Sequence, residues 1–185
     1  MIPGNEPGQE AHVQEDSQSL EARIARLENI ESLRQLRIEY HQRTNDGDLH
    51  RLHELFSPDG RLDLGYFGTY IGRDAIAEGM AAMGHRGRFM VKHFMTAHTV
   101  QLAKGGSSAT GACHLQACYA LGGTSYLVAG CYRDKYVKPE DDWLFAEMSF
   151  TAYFSVPSAV GWAGDDLHWL HPAVAESFAS ISAAT

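Results

Sequence analysis

Leu20, Ile24, Leu27, Leu33, Leu36 and Tyr40 recur at three- and four-residue steps or close multiples of them, and neither glycine nor proline interrupts Ser19 to Asp46. This is the period of an apolar stripe on one long amphipathic helix. The turn signal Asn45-Asp46-Gly47-Asp48 stops it, and Asp48 is placed to cap a second, short helix carrying Leu49, Leu52, Leu55 and Phe56, with Ser57-Pro58-Asp59-Gly60 as its end. RLDLGYFGTYIG, residues 61–72, reads as an extended segment broken by glycines. A third helix is expected over Arg73–Met83, with Ile76, Met80 and Met83 on one face. After the glycine-rich GHRGR the pattern becomes strand-like over Phe94–Ala103, Ala109–Leu121, Ser125–Val137 and Trp143–Val156, separated by KGGSS, GGT and KPEDD. Such short turns join antiparallel neighbours. Helices followed by a meander of long strands predict an α+β domain, a curved sheet wrapped around three helices.

Residues 1–18 are rich in Gly, Pro, Glu and Gln with almost nothing to bury, the composition of a disordered tail, so the domain is expected over 19–157 with a C-terminal extension over 158–185. A chain of 185 residues suits one well-buried domain. Its formal charge of -8, with no basic cluster, argues against nucleic acid or an anionic membrane as partner. Cys113, Cys118 and Cys131 are an odd set without metal-type spacing, which points to a reduced, intracellular protein. The acidic N-terminus lacks an apolar run and reads as neither signal peptide nor membrane span, so the cytoplasm is the expected location.

Strand alternation places Tyr126, Val128, Gly130 and Tyr132 on one face of the third long strand, and Leu127, Ala129, Cys131, Arg133 and Lys135 on the other, so the charges are expected to point away from the tyrosines. On the last strand Met148, Phe150, Ala152 and Phe154 share a face opposite Trp143, Phe145, Glu147, Ser149 and Thr151. One surface is therefore apolar and aromatic, the composition of a small-molecule cavity and equally of a plain core. RFMVKHFMTAH places His93 and His98 five apart, on opposite faces of a regular strand. A neutral imidazole can take a proton near pH 7 without metal or cofactor, which makes His93 a candidate general base; its plain alternative is a backbone contact at a strand start. Tyr40, on the inner helix face, could donate to a leaving hydroxyl or a developing oxyanion, and Tyr132 could do so from the sheet. His50 and His53, like His168 and His171, lack a third ligand nearby, so no metal site is expected.

The long helix ending at Tyr40 and NDGD, then LHELFSPDGRLD, YIGRDAI, His93 before a strand and GCYRDKYVKPEDDWLFAEMSF, resembles the SnoaL-like branch of the NTF2-like superfamily over roughly Leu20–Pro157. The resemblance implies a cone-shaped α+β barrel. Its eliminating members, dehydratases and a dehydrochlorinase, use a histidine base that His93 matches, and Tyr40 matches a dehydratase's helix tyrosine. The carboxylate that pairs with that histidine falls at Asn45, with Asp46 one step later; an amide can hold an imidazole N–H but does not stabilise imidazolium as a carboxylate does. Met148 stands where the dehydrochlorinase has arginine. Tyr66 lies two residues beyond a dehydratase's catalytic tyrosine, and Tyr119 falls where that enzyme has a second histidine.

The expected function is a cofactor-independent lyase acting on an apolar, aromatic alcohol, with loss of water or of formaldehyde. His93 would be the base, Asn45 or Asp46 its orienting partner and Tyr40 the acid, in a pocket of Tyr66, Tyr119, Val128, Tyr132, Met148, Phe150 and Ala152. An isomerase and a non-catalytic binder of a hydrophobic ligand are the alternatives. The resemblance further implies a homo-oligomer, a dimer or trimer.

Overall fold

The structure is a computed structural model that describes residues 7–85 and 90–162, with side chains of the first helix from Leu20 onward. That helix, α1, spans Pro7–Asp46. It therefore starts well before Ser19, within the segment expected to be a disordered tail. Glu, Gln and Ala there are good helix formers, and Pro7 at the first turn presets the backbone angle. Only the C-terminal half of the apolar stripe is used: Leu33 and Tyr40 are buried, whereas Leu20, Ile24 and Leu27 remain exposed. Lys92 donates to the carbonyl of Asn45, closing the C-terminal end of α1 with a cation, where the helix dipole favours one.

The second helix is a 3-10 turn, Leu49–Leu55, and its three-residue period buries Leu49, Leu52 and Leu55 together. Asp48 makes no side-chain cap; its carboxylate faces His50 and Arg51 instead. Ser57-Pro58-Asp59-Gly60 lies inside strand β1, Phe56–Asp63, where the pairing register slips between Phe56 and Arg61. A single 3-10 turn, Gly65–Phe67, leads to β2, Thr69–Ile71, and then to α2, Arg73–His85. Gly79 of α2 sits directly against the Tyr70 ring, 2.1 Å from where a Cβ would stand.

Four long strands follow: β3 Met90–Leu102, β4 Ser108–Leu121, β5 Thr124–Val137 and β6 Leu144–Pro157. The sheet has the order β2-β1-β6-β5-β4-β3; β1 runs parallel to β6 and every other pair is antiparallel. This is the expected α+β architecture, with α1, α2 and the 3-10 helix against one face of an open mixed sheet. The described residues contain no helix long and apolar enough to cross a membrane.

Three bulges change which side chains face inward, each by inserting one residue that shifts the alternation. In β3 the register shifts between Thr96 and Thr99, with Ala97 at φ 51°, and this returns His98 to the inner face it would otherwise have left. In β6 an extra residue at Ala146 brings Phe145 to the inner face, fully buried, and a second at Tyr153 turns Phe154 outward onto Trp162 and Ser155 inward. The expected faces for His98, Phe145 and Phe154 are thus reversed. On β5 the alternation is regular, and followed two residues further it places Asp134 on the tyrosine face, buried, so one charge does point inward.

Candidate functional site

Between the helices and the inner face of the sheet lies a cavity of about 60 Å³. Tyr40 and Thr44 of α1, His93 of β3, Tyr119 of β4, Val128 and Tyr132 of β5 and Phe150 of β6 line it, with Leu49, Leu52, Met80 and Met83 closing the helical side. Its polar groups are few and nearly all belong to tyrosines and one histidine. Among the expected site residues, the fold therefore brings His93, Tyr40, Tyr119, Val128, Tyr132 and Phe150 to one void.

The imidazole of His93 meets a residue that the sequence reading did not single out. His41 Nδ1 lies 3.1 Å from His93 Nδ1, with the two rings edge to face at 5.2 Å between centroids. Asn45 reaches His93 too, but at its backbone: the amide oxygen accepts from His93 N–H at 2.6 Å and the amide nitrogen donates to His93 C=O at 3.1 Å. Asn45 thereby sets the position of the strand, not the tautomer of the ring. Asp46 lines a separate groove beside Asn45, Gly47 and Lys92. A five-residue step from Tyr40 carries the helix far enough round to meet the strand backbone, while the four-residue step from Arg37 to His41 stays on the buried face.

Beneath the cavity, Arg37 is completely buried and forms a two-pronged ion pair with Asp134, Nε to Oδ2 at 3.1 Å and Nη2 to Oδ1. The Tyr136 hydroxyl donates to Asp134 Oδ2 at 2.8 Å, and His98 Nε2 lies 3.2 Å from that hydroxyl. The guanidinium is also sandwiched by rings, 4.5 Å from the centroid of Tyr132, 4.9 Å from Phe145 and 5.3 Å from Tyr40. Its Nη1 donates to the Met148 sulfur at 3.6 Å, so Met148 packs against the cation below the cavity wall.

These surroundings fix protonation. Burial, and then the Arg37 charge, pull His93 from 6.5 to about 3. His41 falls to about 2 through burial, Arg37 and its histidine neighbours. Burial raises Tyr40 to about 12 against the pull of Arg37, and raises Tyr119 to about 12 as well. At neutral pH the cavity thus presents an uncharged imidazole and protonated phenols.

The other expected residues lie elsewhere. Tyr66 packs against Phe67, 4.4 Å between centroids, with its hydroxyl enclosed rather than at the cavity wall. Ala152 pairs with Gly130, whose bare face is covered by the Phe150 ring. His53 Nδ1 lies 2.9 Å from the carbonyl of His50, a local helix contact. His168 and His171 fall outside the described residues. Tyr119 shares a 3.0 Å hydrogen bond with Ser155, which the bulge at Tyr153 turns inward.

The SnoaL-like domain family matches residues 25–149, more than half of the chain. No curated protein sequence matches it. Among solved structures, a hexachlorocyclohexane dehydrochlorinase superposes with a TM-score of 0.68 at 16% identity, covering 77% of this chain and 98% of that one. A protein from Novosphingobium aromaticivorans DSM 12444, provisionally named scytalone dehydratase, gives 0.64 at 16% identity over 71% of this chain and 89% of its own. An NTF2-like protein with a cystatin-like fold, from Novosphingobium aromaticivorans, gives 0.60 at 27% identity, covering 72% and 87%.

Proposed function

The chain belongs to the SnoaL-like family, and on that premise we propose that it is a cofactor-independent lyase in which His93 removes a proton from an apolar, aromatic alcohol held in the central cavity. The observation that carries this reading is a neutral imidazole and the phenol of Tyr40 lining the same, otherwise apolar void. A base must be unprotonated to act, and burial and Arg37 keep His93 so at any pH near neutrality, while also weakening its pull on the substrate proton. Tyr40, held protonated, donates to the oxygen on which negative charge builds. Arg37 is stacked behind Tyr40 and Tyr132 and so favours that negative charge through the two rings. The dehydrochlorinase and the dehydratase-named protein sharing the fold are consistent with elimination.

Two leaving groups fit the same first step. In dehydration, His93 takes a C–H proton and the departing hydroxyl takes one from Tyr40. In aldehyde release, His93 takes the proton of a hydroxymethyl O–H, the electron pair of the adjacent C–C bond passes to the conjugated remainder, which takes a proton from Tyr40, and formaldehyde leaves. Aryl and terpenoid alcohols incubated without added cofactor distinguish these by mass: a loss of 18 or of 30 mass units is expected for at least one (~18 for water, ~30 for formaldehyde). Heat-treated protein is the control. Tight binding of such alcohols with no mass change would mark the cavity as a binding site and overturn the lyase reading.

A further inference from the structure

Two buried ring nitrogens lack a hydrogen-bond partner among the described residues, His41 Nε2 and His98 Nδ1. Each belongs to a histidine whose other nitrogen is engaged, and the engaged side fixes what the free side offers. Asp134, committed as an anion to Arg37, accepts from the Tyr136 hydroxyl, so the phenol oxygen must accept from His98 Nε2–H. His98 Nδ1 is then a lone pair. At the other end, a His93 that takes a substrate proton on Nε2 carries its own hydrogen on Nδ1 and gives it to His41 Nδ1. His41 Nε2 is then an N–H. The two unpartnered atoms are thus one donor and one acceptor.

They also belong to adjacent layers. Arg37 and His41 are one turn apart on α1, about 6 Å along its axis. Arg37 joins the layer of Asp134, Tyr136 and His98, and His41 joins that of His93. The bulge at Ala97 is what puts His98 on the same inner face of β3 as His93. A single water, accepting from one group and donating to the other, spans about 5 to 6 Å with two ordinary hydrogen bonds.

We propose that His41 and His98 hold a water between them and that the chain His93–His41–water–His98 is a proton relay leading from the cavity to the half-buried His98. The proposal rests on the reading of His93 as base and adds where its proton goes. As His93 Nε2 takes the substrate proton, its Nδ1 hydrogen passes to His41 Nδ1, the Nε2 hydrogen of His41 passes to water, and a water hydrogen passes to His98 Nδ1. One proton enters, His98 becomes imidazolium, and its Nε2–H stays on Tyr136, which points to Asp134. Arg37 opposes a cation at every position, and Arg34 opposes one at His98, but Asp134 favours His98, whose pKa, about 4, is lowered least of the three.

The test has a structural and a kinetic arm. Crystals of the full chain at atomic resolution should show density within hydrogen-bond distance of both His41 Nε2 and His98 Nδ1, and ¹⁵N ring shifts should give both residues as Nε2–H tautomers. A dry gap, or His98 protonated on Nδ1 at neutral pH, overturns the relay. In turnover, His98→Phe keeps a ring but loses the acceptor, and is expected to lower kcat by about tenfold with KM little changed, partly restored by added imidazole. His98→Gln serves if His98→Phe fails to fold. Unchanged kcat in the folded variant, while His93→Gln abolishes turnover, removes the relay and leaves the base standing. Unchanged turnover in His93→Gln instead removes the lyase reading.

Discussion

Replacing Asp134 by asparagine is the most informative single perturbation of the buried network. The substitution keeps size and shape but leaves the Arg37 guanidinium, which has no exposure at all, without its counter-charge. It also weakens the 3.1 Å and 2.8 Å hydrogen bonds that Arg37 and Tyr136 make to the carboxylate. Breaking a buried pair by removing one partner costs about 3 to 5 kcal/mol, because the remaining charge stays desolvated. For a chain of this size each kcal/mol shifts Tm by about 2 to 4 °C, so a fall on the order of 10 °C is expected. The three aromatic rings around the cation soften the loss but cannot replace an anion, since cation–π contacts contribute about 2 kcal/mol when desolvated. Urea and thermal melts of the single variant and of Arg37→Met/Asp134→Leu decide the matter. The double variant, with no charge left to bury, should recover most of the stability. A loss below about 1 kcal/mol in Asp134→Asn would refute the claim that Arg37 depends on this carboxylate.

Acid should destabilise the fold early. His41 and His93 are lowered from 6.5 to about 2 and about 3, so the unfolded chain binds protons that the folded one refuses, and stability is complete above pH 6.5 and falls as pH drops toward those values. Each of the two contributes a slope of about 1.4 kcal/mol per pH unit in that window, which urea melts at pH 7 and pH 5 will measure, and His41→Gln should reduce it. Asn45→Asp keeps the acceptor for His93 N–H but loses the donor to His93 C=O, so a loss of about 1 kcal/mol in melting is expected while the His93 ring titration moves little; a rise of a full unit in the His93 pKa would mean that the side chain reaches the imidazole. Gly130→Ala puts a methyl 2.5 Å from the Phe150 ring and from the Thr151 carbonyl, and should cost about 1 to 3 kcal/mol in melts while narrowing the cavity; a neutral effect would show that both the Phe150 ring and the Thr151 backbone give way freely.

Where the hydrophobic period was long, the sequence carried the structure. The three- and four-residue steps of Leu33, Leu36 and Tyr40 put Tyr40 on the inner helix face, and the strict alternation of Tyr126 to Tyr132 put Val128 and Tyr132 on one face of β5, both of which turn toward one interior. What alternation cannot reveal is an inserted residue. The bulges at Ala97, Ala146 and Tyr153 carry no glycine or proline to mark them, and each reverses the alternation between its two sides, which is why His98, Phe145 and Ser155 were placed wrongly or passed over. His41 and Arg37 were missed for a different reason: polar residues on an apolar stripe are ordinarily counted as its edge. Yet Leu33, Arg37, His41 and Asn45 follow one another at a constant step of four, which holds them close to the buried stripe of the helix. Asp134 was equally available, two residues beyond Tyr132 on the same face of β5. A buried arginine on a helix and a buried aspartate on a strand, each in phase with an aromatic face, were the signal for the ion pair.

The central claim, that His93 is the base, is tested most directly by the turnover of His93→Gln, once an alcohol that loses mass with the native protein has been found. Glutamine still fills the space beside His41 but cannot accept a proton. A folded His93→Gln variant should bind the alcohol with little change and form product at least about 10²-fold more slowly. Product formation at the native rate would contradict the account.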